Sequence, residues 1–264
     1  MAVGWLVLGV LGVRGRWLEM AGGRRVGGMT TTLITGANKG LGYETARQLI
    51  GAGHEVFIGS RDAVRGREAA ERLGARLVVL DVTDEESVAA AVKTVEAAGG
   101  GLDVLVNNAG VEGRGPGNVV IGAADVTGEM MRTTFETNVF GLVRVTHAFL
   151  PLLERSTSPV IVNVTSGLAS LAGAATPGSP THFYPGVAYP ASKVAVNMVT
   201  VQFAKAFPSM RINAVEPGYT KTDLNGNTGI QTVEEGAEII VRMAQLGADG
   251  PTGGYFSKRG TIAW

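Results

Sequence analysis

The sequence predicts a single α/β domain with a doubly wound parallel sheet (a Rossmann fold) that carries helices on both faces. From Met29 onward, short apolar runs alternate with longer amphipathic stretches, which is the pattern of βα units. A glycine-rich turn follows the first apolar run and leads directly into an amphipathic stretch. A chain of 264 residues with 45% hydrophobic residues is also long and apolar enough for one α/β domain with a substantial core.

The elements follow from hydrophobic periodicity. Short runs rich in Val, Ile and Leu are typical of strands that are buried on both faces. We predict strands at residues 31–35, 56–60, 77–81, 104–107, 160–165, 212–215 and 254–256. The intervening stretches have a helical period. We predict helices at residues 41–52, 63–73, 85–97, 129–153, 190–207 and 233–243. Two long loops, 112–128 and 167–188, follow strands whose carboxyl ends should border a binding crevice.

The first 28 residues are left out of the predicted catalytic domain, which spans residues 29–264. The apolar run at residues 2–13 is shorter than the ~20 residues that a membrane-spanning helix needs. Its arginines follow the run, whereas a secretory signal has its basic stretch first. We interpret residues 1–28 as a disordered extension or an over-long start assignment, and we expect a cytoplasmic protein with no membrane partner.

Composition excludes several classes of function. Lys+Arg and Asp+Glu are both 23, so there is no basic field to attract nucleic acid. The chain has no cysteine, and its three histidines are not spaced as metal ligands, so we predict neither thiolate catalysis nor a metal site. The chemistry must therefore use oxygen and nitrogen side chains together with a cofactor.

The glycine-rich turn, residues 35–42, is here called the glycine loop. Gly36, Gly40 and Gly42 lack Cβ atoms, which permits a tight turn and close approach of the backbone to a phosphate. The helix that follows would offer free N–H groups to a pyrophosphate. Because the chain holds 39 glycines, a chance glycine-rich turn is the alternative, but the strand-turn-helix context favours dinucleotide binding.

The end of the second predicted strand indicates which dinucleotide is bound. An NAD-binding fold usually carries an acid there, but this strand ends Gly59-Ser60-Arg61. Ser60 is small enough to leave room for a 2′-phosphate, Arg61 offers it a planar guanidinium, and Lys39 adds a second cation. The alternative is that both cations are ordinary solvated charges. We predict NADP(H) as the cofactor.

Tyr189 and Lys193 stand at i and i+4, on one face of a predicted helix. A neighbouring ammonium stabilises a phenolate and lowers the pKa of tyrosine, which is otherwise ~10, so the spacing suits acid-base chemistry. On its own, such a pair is more often incidental.

Four motifs in order make the incidental interpretation untenable. They are the glycine loop, Asn107-Asn-Ala-Gly110, Ser166 after a buried strand, and Tyr189 with Lys193. With them the chain resembles the short-chain dehydrogenase/reductase family over residues 29–264. It is most similar to the carbonyl reductase-like group, through Asn38-Lys39 and residues 251–256.

The resemblance implies a catalytic role for four residues. Tyr189 would be the general acid, and Ser166 would hydrogen-bond the substrate oxygen. Lys193 would hold the ribose and lower the tyrosine pKa, and Asn138 would complete a proton relay. For Asn138, a helix irregularity or a packing amide is the alternative. The predicted cofactor contacts, in chain order, are Gly36, Asn38, Lys39, Gly40, Leu41, Gly42, Arg61, Asp81, Val82, Asn108, Ala109, Gly110, Tyr189, Lys193, Gly218, Thr220 and Thr222; Asn107 is expected to be structural.

Two features depart from the family pattern. Glu216 stands where the family usually has asparagine. Twenty-two residues separate Ser166 from Tyr189, where the family has about a dozen, and we call this segment, 167–188, the insertion. Its aromatic residues, such as Phe183 and Tyr184, could wall a pocket for an apolar substrate, or the insertion could be a passive surface loop.

These observations predict an NADPH-dependent oxidoreductase that reduces a ketone or aldehyde, with a small carbonyl or alcohol compound as its substrate. One alternative is an NADP-dependent alcohol dehydrogenase that works mainly in the oxidative direction. The other is a regulator that senses NADPH without turnover, against which the intact Ser166, Tyr189 and Lys193 argue. The resemblance leaves a monomer and a homo-oligomer open, and we favour the homo-oligomer.

Overall fold

A computed structural model describes residues 29–99 and 101–264, so the prediction for residues 1–28 lies outside the described residues. The strands are β1 Thr31–Ile34, β2 Glu55–Ser60, β3 Arg76–Val79, β4 Val104–Asn107, β5 Arg114–Gly115, β6 Val119–Val120, β7 Val160–Val164, β8 Arg211–Glu216, β9 Tyr255–Ser257 and β10 Gly260–Thr261. Eight of them form a sheet in the order β3-β2-β1-β4-β7-β8-β9-β10, in which all neighbours are parallel except β9 and β10. The predicted fold class is confirmed.

Helices cover both faces of the sheet. They are α1 Gly40–Gly51, α2 Ala63–Leu73, α3 Glu85–Gly99, α4 Gly128–Phe135, α5 Leu142–Leu153, α6 Leu171–Ala175, α7 Ala188–Ala206 and α8 Val233–Ala244. Among the described helices, none combines the length and the apolar character needed to span a bilayer.

Neighbouring residues of each strand enter opposite cores. In β1, Leu33 packs with Phe57 and Leu105 against α3 and α5, whereas Ile34 packs with Ile58 and Val106 against α1 and α8. Both residues are fully buried, because successive side chains of a strand point to opposite faces. This double burial explains why the strands are continuous apolar runs in the sequence.

The order of the strands determines where ligands can bind. From β1 the chain winds outward through β2 and β3, and then returns to β4 on the other side of β1. The carboxyl ends of β1 and β4 therefore meet where the winding reverses, and open parallel sheets bind ligands in that crevice.

One helix prediction needs correction. The predicted helix 129–153 is three segments, because a π-helical turn, Glu136–Gly141, lies between α4 and α5. An ideal Cβ on Gly141 would lie 2.8 Å from Val82 Cγ2, so the glycine allows this turn to pack closely on the chain after β3. Single π turns of this kind are frequent at functional sites.

The two long loops contain short elements that no periodicity revealed. Residues 112–128 hold a small hairpin, β5–β6, which forms a sheet of its own. In the insertion, a short 3₁₀ turn, Gly167–Ala169, precedes α6. These elements are too short for a helical or strand period to appear in the sequence.

Candidate active site

The glycine loop has the geometry that the motif predicts. Gly36 and Gly40 have φ of 64° and 58°, in the left-handed region that favours glycine. Gly42 is required for a different reason, because an ideal Cβ there would lie 2.5 Å from Asn108 Nδ2. No side chain caps the first turn of α1 and no acidic residue lies in it, which leaves its N–H groups available to an anion.

The loop is tied to the end of β4 by side-chain hydrogen bonds. Thr35 Oγ1 accepts from the backbone N–H groups of Asn108 and Ala109 at 3.0 and 2.9 Å. Asn108 Nδ2 donates to the carbonyl oxygens of Thr35 and Gly36 at 2.9 and 3.1 Å. The two motifs thus form one floor of the crevice, in which Gly36 and Gly42 leave room for Ala109 and Asn108.

The two predicted phosphate-binding cations differ in their surroundings. Arg61 is exposed and makes no hydrogen bond or ion pair within the described residues. Lys39 instead pairs with Asp223 across the crevice, with 2.7 Å between Nζ and Oδ2. Ser60 is buried and its hydroxyl donates to the Asp62 carbonyl oxygen at 2.8 Å, so it contributes space rather than a contact.

The acid nearest to the end of β2 is already engaged. Asp62 Oδ1 accepts from the backbone N–H groups of Val64 and Arg65, both at 3.0 Å, and so caps the N-terminus of α2. This carboxylate therefore belongs to the helix rather than to a ribose site.

Asp81 and Val82, predicted at the adenine, lie after β3. Burial would raise the pKa of Asp81, but the backbone and side-chain hydrogen bonds from Thr83 hold it below its usual value, with help from the charge of Arg61. Val82 is buried against the π turn.

The predicted nicotinamide segment lies beside the glycine loop. Gly218 has φ of 84°, and its N–H donates to Glu216 Oε1 at 2.8 Å. Thr220 is buried, and its hydroxyl accepts from Gln231 Nε2 at 2.9 Å. Thr222 Cγ2 lies 3.7 Å from the position of a Cβ on Gly40, so this segment and the glycine loop face each other across the crevice.

Three of the predicted catalytic side chains converge at the end of β7. Tyr189 and Lys193 extend from the first turns of α7, with the Lys193 ammonium 5.6 Å from the centre of the Tyr189 ring. Lys193 is buried, and its Nζ donates to the Val164 carbonyl oxygen at 2.9 Å. Ser166 follows β7, and its hydroxyl is near enough to Tyr189 to lower the pKa of the phenol.

Burial shifts the proton affinity of both α7 groups. It raises the pKa of Tyr189, and so do the charges of Glu112 and Glu216, whereas the nearby Ser166 hydroxyl and the charge of Arg114 lower it. Burial lowers the pKa of Lys193 to about 8. At neutral pH, Tyr189 therefore holds its proton, which is the form that a general acid needs.

Asn138 lies in the π turn and joins three elements. Its Oδ1 accepts from the Val111 N–H at 2.8 Å, and its Nδ2 donates to the Val111 carbonyl oxygen at 2.9 Å. The same amide donates to Ser192 Oγ at 3.0 Å. An ideal Cβ on Gly110 would lie 3.4 Å from Asn138 Oδ1 and 3.5 Å from Lys193 Nζ, so Asn138 belongs to the same cluster.

Asn107 has a different environment. It is buried, and its Nδ2 donates at 2.9 Å both to Thr146 Oγ1 and to Asn163 Oδ1, while Asn163 Nδ2 donates to Thr200 Oγ1. These bonds connect β4 and β7 to the helices behind them.

The contacts that several groups make near Tyr189 were not predicted from the sequence. Tyr184 of the insertion donates its hydroxyl proton to Glu112, which also pairs with Arg114. Tyr255, from the motif near the end of the chain, donates to the Ser166 carbonyl oxygen at 2.5 Å. These partners are too far apart in the chain for their spacing to reveal the contacts. The one signal was a pair of charged residues, Glu112 and Arg114, at the start of a loop predicted to border the site.

Glu216, the departure from the family pattern, lies close to Ser166. Its Oε1 would be 3.3 Å from a Cβ on Gly167, and burial raises its pKa. Within the described residues, no group of three or more His, Cys, Asp or Glu side chains could hold a metal ion.

Comparison with known proteins places this arrangement in context. Residues 30–232 match the family model described as short chain dehydrogenase. (+)-Neomenthol dehydrogenase of Capsicum annuum is 33% identical in an alignment that covers 86% of this chain and 95% of that protein. (−)-Isopiperitenone reductase of Mentha piperita is 35% identical, with 88% and 97% covered.

Solved structures agree with the topology. Salutaridine reductase of Papaver somniferum superposes with a TM-score of 0.76 at 29% identity, covering 87% of this chain and 99% of that one. Carbonyl reductase Sniffer of D. melanogaster gives the same TM-score at 25% identity, with 90% and 100% covered.

Proposed function

Because this chain belongs to the short-chain dehydrogenase/reductase family, whose members are oxidoreductases with nicotinamide cofactors, we propose that it reduces a ketone or aldehyde with NADPH. The observation that carries the proposal is the convergence of the Tyr189 phenol and Ser166 at the end of β7, beside the buried ammonium of Lys193.

These groups suit carbonyl reduction. When bound, NADPH supplies a hydride to the carbonyl carbon, which leaves negative charge on the oxygen. Two hydroxyl donors, Ser166 and Tyr189, stabilise that charge, and Tyr189 gives up its proton to form the alcohol. Lys193 places a positive charge next to the phenolate that results and, in this proposal, also holds the ribose. A proton relay through Asn138 stays a prediction, since its amide is engaged by Val111 and Ser192.

The preference for NADPH rests on the end of β2. The guanidinium of Arg61 is free to form charge-assisted hydrogen bonds with a 2′-phosphate. The neighbouring carboxylate of Asp62 caps α2, so no acid is left there for the ribose hydroxyls of NAD. The pyrophosphate would lie on the glycine loop, against the first turn of α1.

The protonation state of Tyr189 favours reduction of a carbonyl over oxidation of an alcohol. A tyrosine whose pKa is raised holds the proton that reduction consumes, whereas oxidation of an alcohol needs the phenolate as a base. (+)-Neomenthol dehydrogenase and (−)-isopiperitenone reductase are named for cyclic compounds, and the pocket at Tyr189 has apolar residues in its lining, so we propose a bulky cyclic ketone as substrate.

The experiment is to mix the purified protein with NADPH and a panel of cyclic ketones, diketones, quinones and aldehydes, and to follow the absorbance of NADPH. We expect consumption of NADPH with at least one carbonyl. Turnover only with alcohols and NADP would favour the oxidative alternative. Binding of NADPH without turnover in either direction would support a sensor and contradict the proposal.

A further inference from the structure

A buried cluster of charged and polar side chains lies beside Tyr189 but has no part in the proposed reaction. Glu112 and Arg114 follow β4, and Tyr184 belongs to the insertion. Arg114 Nη2 is 3.0 Å from the Glu112 carboxylate, and the Tyr184 hydroxyl donates to its Oε1. The Glu112 and Arg114 side chains are only 7% and 13% exposed, so this is an interior ion pair and not a surface one.

An ion pair in the interior holds its partners more firmly than one at the surface. Arg114 Nη2 lies 3.0 Å from both oxygens of the Glu112 carboxylate, and Oε1 also accepts the Tyr184 hydroxyl proton. Arg114 is the first residue of β5, and its Nη1 also donates to the Asn118 carbonyl oxygen at 3.2 Å, so the ion pair is part of the hairpin. Removing any one partner leaves buried polar groups unsatisfied, which costs more than the loss of an exposed contact.

The backbone of the insertion also contacts the chain immediately after the hairpin. Gly122 and Gly186 form an isolated antiparallel bridge. An ideal Cβ on Gly186 would lie 2.5 Å from Tyr184 Cε1 and 3.0 Å from Val120 Cγ1, so the Tyr184 ring packs directly over this bridge. The end of the insertion is thereby held immediately before α7, the helix that carries Tyr189.

The cluster forms part of a cavity next to Tyr189. Glu112, Tyr184 and Tyr189 all line this cavity. The rest of its lining includes apolar side chains, among them Ile121, Val126, Met130 and Val187. Since Glu112 is neutralised by Arg114, the cavity offers an apolar compound a wall without an uncompensated charge.

We propose that Glu112 is a positioning residue that fixes the insertion to the hairpin through Tyr184 and so sets the shape of the substrate pocket beside Tyr189. The effect on substrates rests on the proposed function, but the attachment of the insertion does not. In this role the insertion is a fixed wall of the pocket and not a passive surface loop.

Glu112 also acts on Tyr189 through its charge. The groups that face Tyr189 are Glu112 and Arg114 from the hairpin side, Glu216 from β8, Ser166 from the end of β7, Lys193 from α7, and Tyr184 and Tyr255. Of the charged groups among them, Glu112 contributes the largest rise in the Tyr189 pKa. Loss of this carboxylate should therefore move the alkaline limb of the pH profile to lower pH.

The test compares Tyr184→Phe and Glu112→Gln with the control Glu129→Gln, which removes a carboxylate from an exposed ion pair on α4. The first measurement is hydrogen exchange of residues 176–187 in the full chain. We expect both cluster variants to exchange roughly tenfold faster there, because a hydrogen bond to a buried charge is lost, and the control to exchange at the wild-type rate. Wild-type exchange in both folded cluster variants would overturn the proposal, whether or not the protein reduces any carbonyl.

The second measurement is steady-state kinetics with a bulky ketone, menthone, and a small aldehyde, propanal. For Tyr184→Phe we expect KM for menthone to rise about five- to tenfold while kcat for propanal stays within about twofold. An equal fall of kcat with both substrates at unchanged KM would contradict a role in shaping the pocket.

The pH profile of kcat/KM separates two roles of Glu112: holding the insertion in place and acting on Tyr189 through its charge. Glu112→Gln should shift the alkaline limb of kcat/KM to lower pH, whereas Tyr184→Phe, which keeps the carboxylate, should leave the limb in place. If both variants shift the limb equally, the charge of Glu112 is not its cause. Should Glu112→Gln fail to fold, Tyr184→Phe still decides whether the cluster holds the insertion.

Discussion

The glycine loop and the insertion border the same crevice, but different kinds of interaction hold them in place. The glycine loop is positioned by backbone geometry and by neutral hydrogen bonds from Thr35 and Asn108. The insertion is held by a buried ion pair and a tyrosine whose hydroxyl bonds to it. The proposed cofactor side therefore depends on glycines and neutral hydrogen bonds, and the proposed substrate side depends on an ion pair and a tyrosine.

This difference has a consequence for substitution. A glycine that must adopt a positive φ or leave room for a neighbour tolerates almost no other residue, so the cofactor side is readable as a motif. A charged cluster can be exchanged for another one that holds the same shape. We therefore expect the amino-acid sequences of relatives to vary more on the substrate side, where this chain carries its insertion.

The largest effect is expected from Tyr189→Phe, which keeps the ring and removes only the hydroxyl. This variant tests whether turnover can be lost while cofactor binding is kept. We expect turnover to fall ~10²-fold or more while NADPH binding is largely kept, because only the proton donor is lost. Tyr43→Phe, at a partly buried position on α1, should retain near wild-type turnover. Near-normal turnover of Tyr189→Phe would contradict the proposed mechanism.

Lys193→Met should affect both turnover and cofactor binding. We expect kcat to fall about tenfold or more and NADPH binding to weaken, since one ammonium is asked to support the phenolate and the ribose. The matched control is Lys205→Met, an exposed position on the same helix. A change in only one of the two parameters would mean that the dual role is wrong.

Lys193→Met should also change how the stability of the cofactor-free protein depends on pH. Burial lowers the pKa of Lys193 to about 8 from 10.5, so between these values the unfolded chain binds more protons than the folded one. The free energy of unfolding should therefore rise with pH across this window, relative to Lys193→Met, by on the order of 3 kcal/mol. Parallel urea titrations of the two proteins at several pH values measure the difference. If the free energy of unfolding depends on pH equally in both proteins, burial does not lower the pKa of Lys193.

A smaller effect is expected at the end of β2. Arg61→Ile removes a charge-assisted hydrogen bond to the 2′-phosphate, so the NADPH/NADH ratio of kcat/KM should fall about tenfold, which corresponds to ~1.4 kcal/mol. We keep Ser60 unchanged, because an aspartate there would bury a carboxylate beside the Asp62 carbonyl oxygen. Arg67→Ile, at an exposed position on α2, is the control. A wild type that prefers NADH, or an unchanged ratio, would refute the NADP prediction.

The smallest effect concerns the ion pair across the crevice. Asp223→Asn releases Lys39, and we expect KM for NADPH to fall about two- to fivefold, because exposed pairs contribute only ~0–1 kcal/mol and a phosphate can then take the lysine. Glu238→Gln, which breaks the exposed pair with Lys258, should leave KM unchanged. A higher KM in Asp223→Asn would mean that the pair helps to retain the cofactor.

Most of the regular fold was predictable from periodicity. Each predicted strand is present with ends shifted by at most two residues, because buried parallel strands and amphipathic helices repeat over a few residues. The π turn, the β5–β6 hairpin and α6 were not predictable. They depend on contacts such as Asn138 with Val111 and on close packing at Gly141, which have no local period.

The sequence by itself determined the order of strands and helices, the glycine loop and the Tyr189-Lys193 spacing, because each of these depends on residues a few positions apart. The tertiary structure alone decided which distant side chains meet. Tyr184 reaches Glu112 across 72 residues and Lys39 reaches Asp223 across 184. It also decided the proton affinities of Tyr189 and Lys193, since burial, the largest cause of both shifts, exists only once the helices have closed over the sheet.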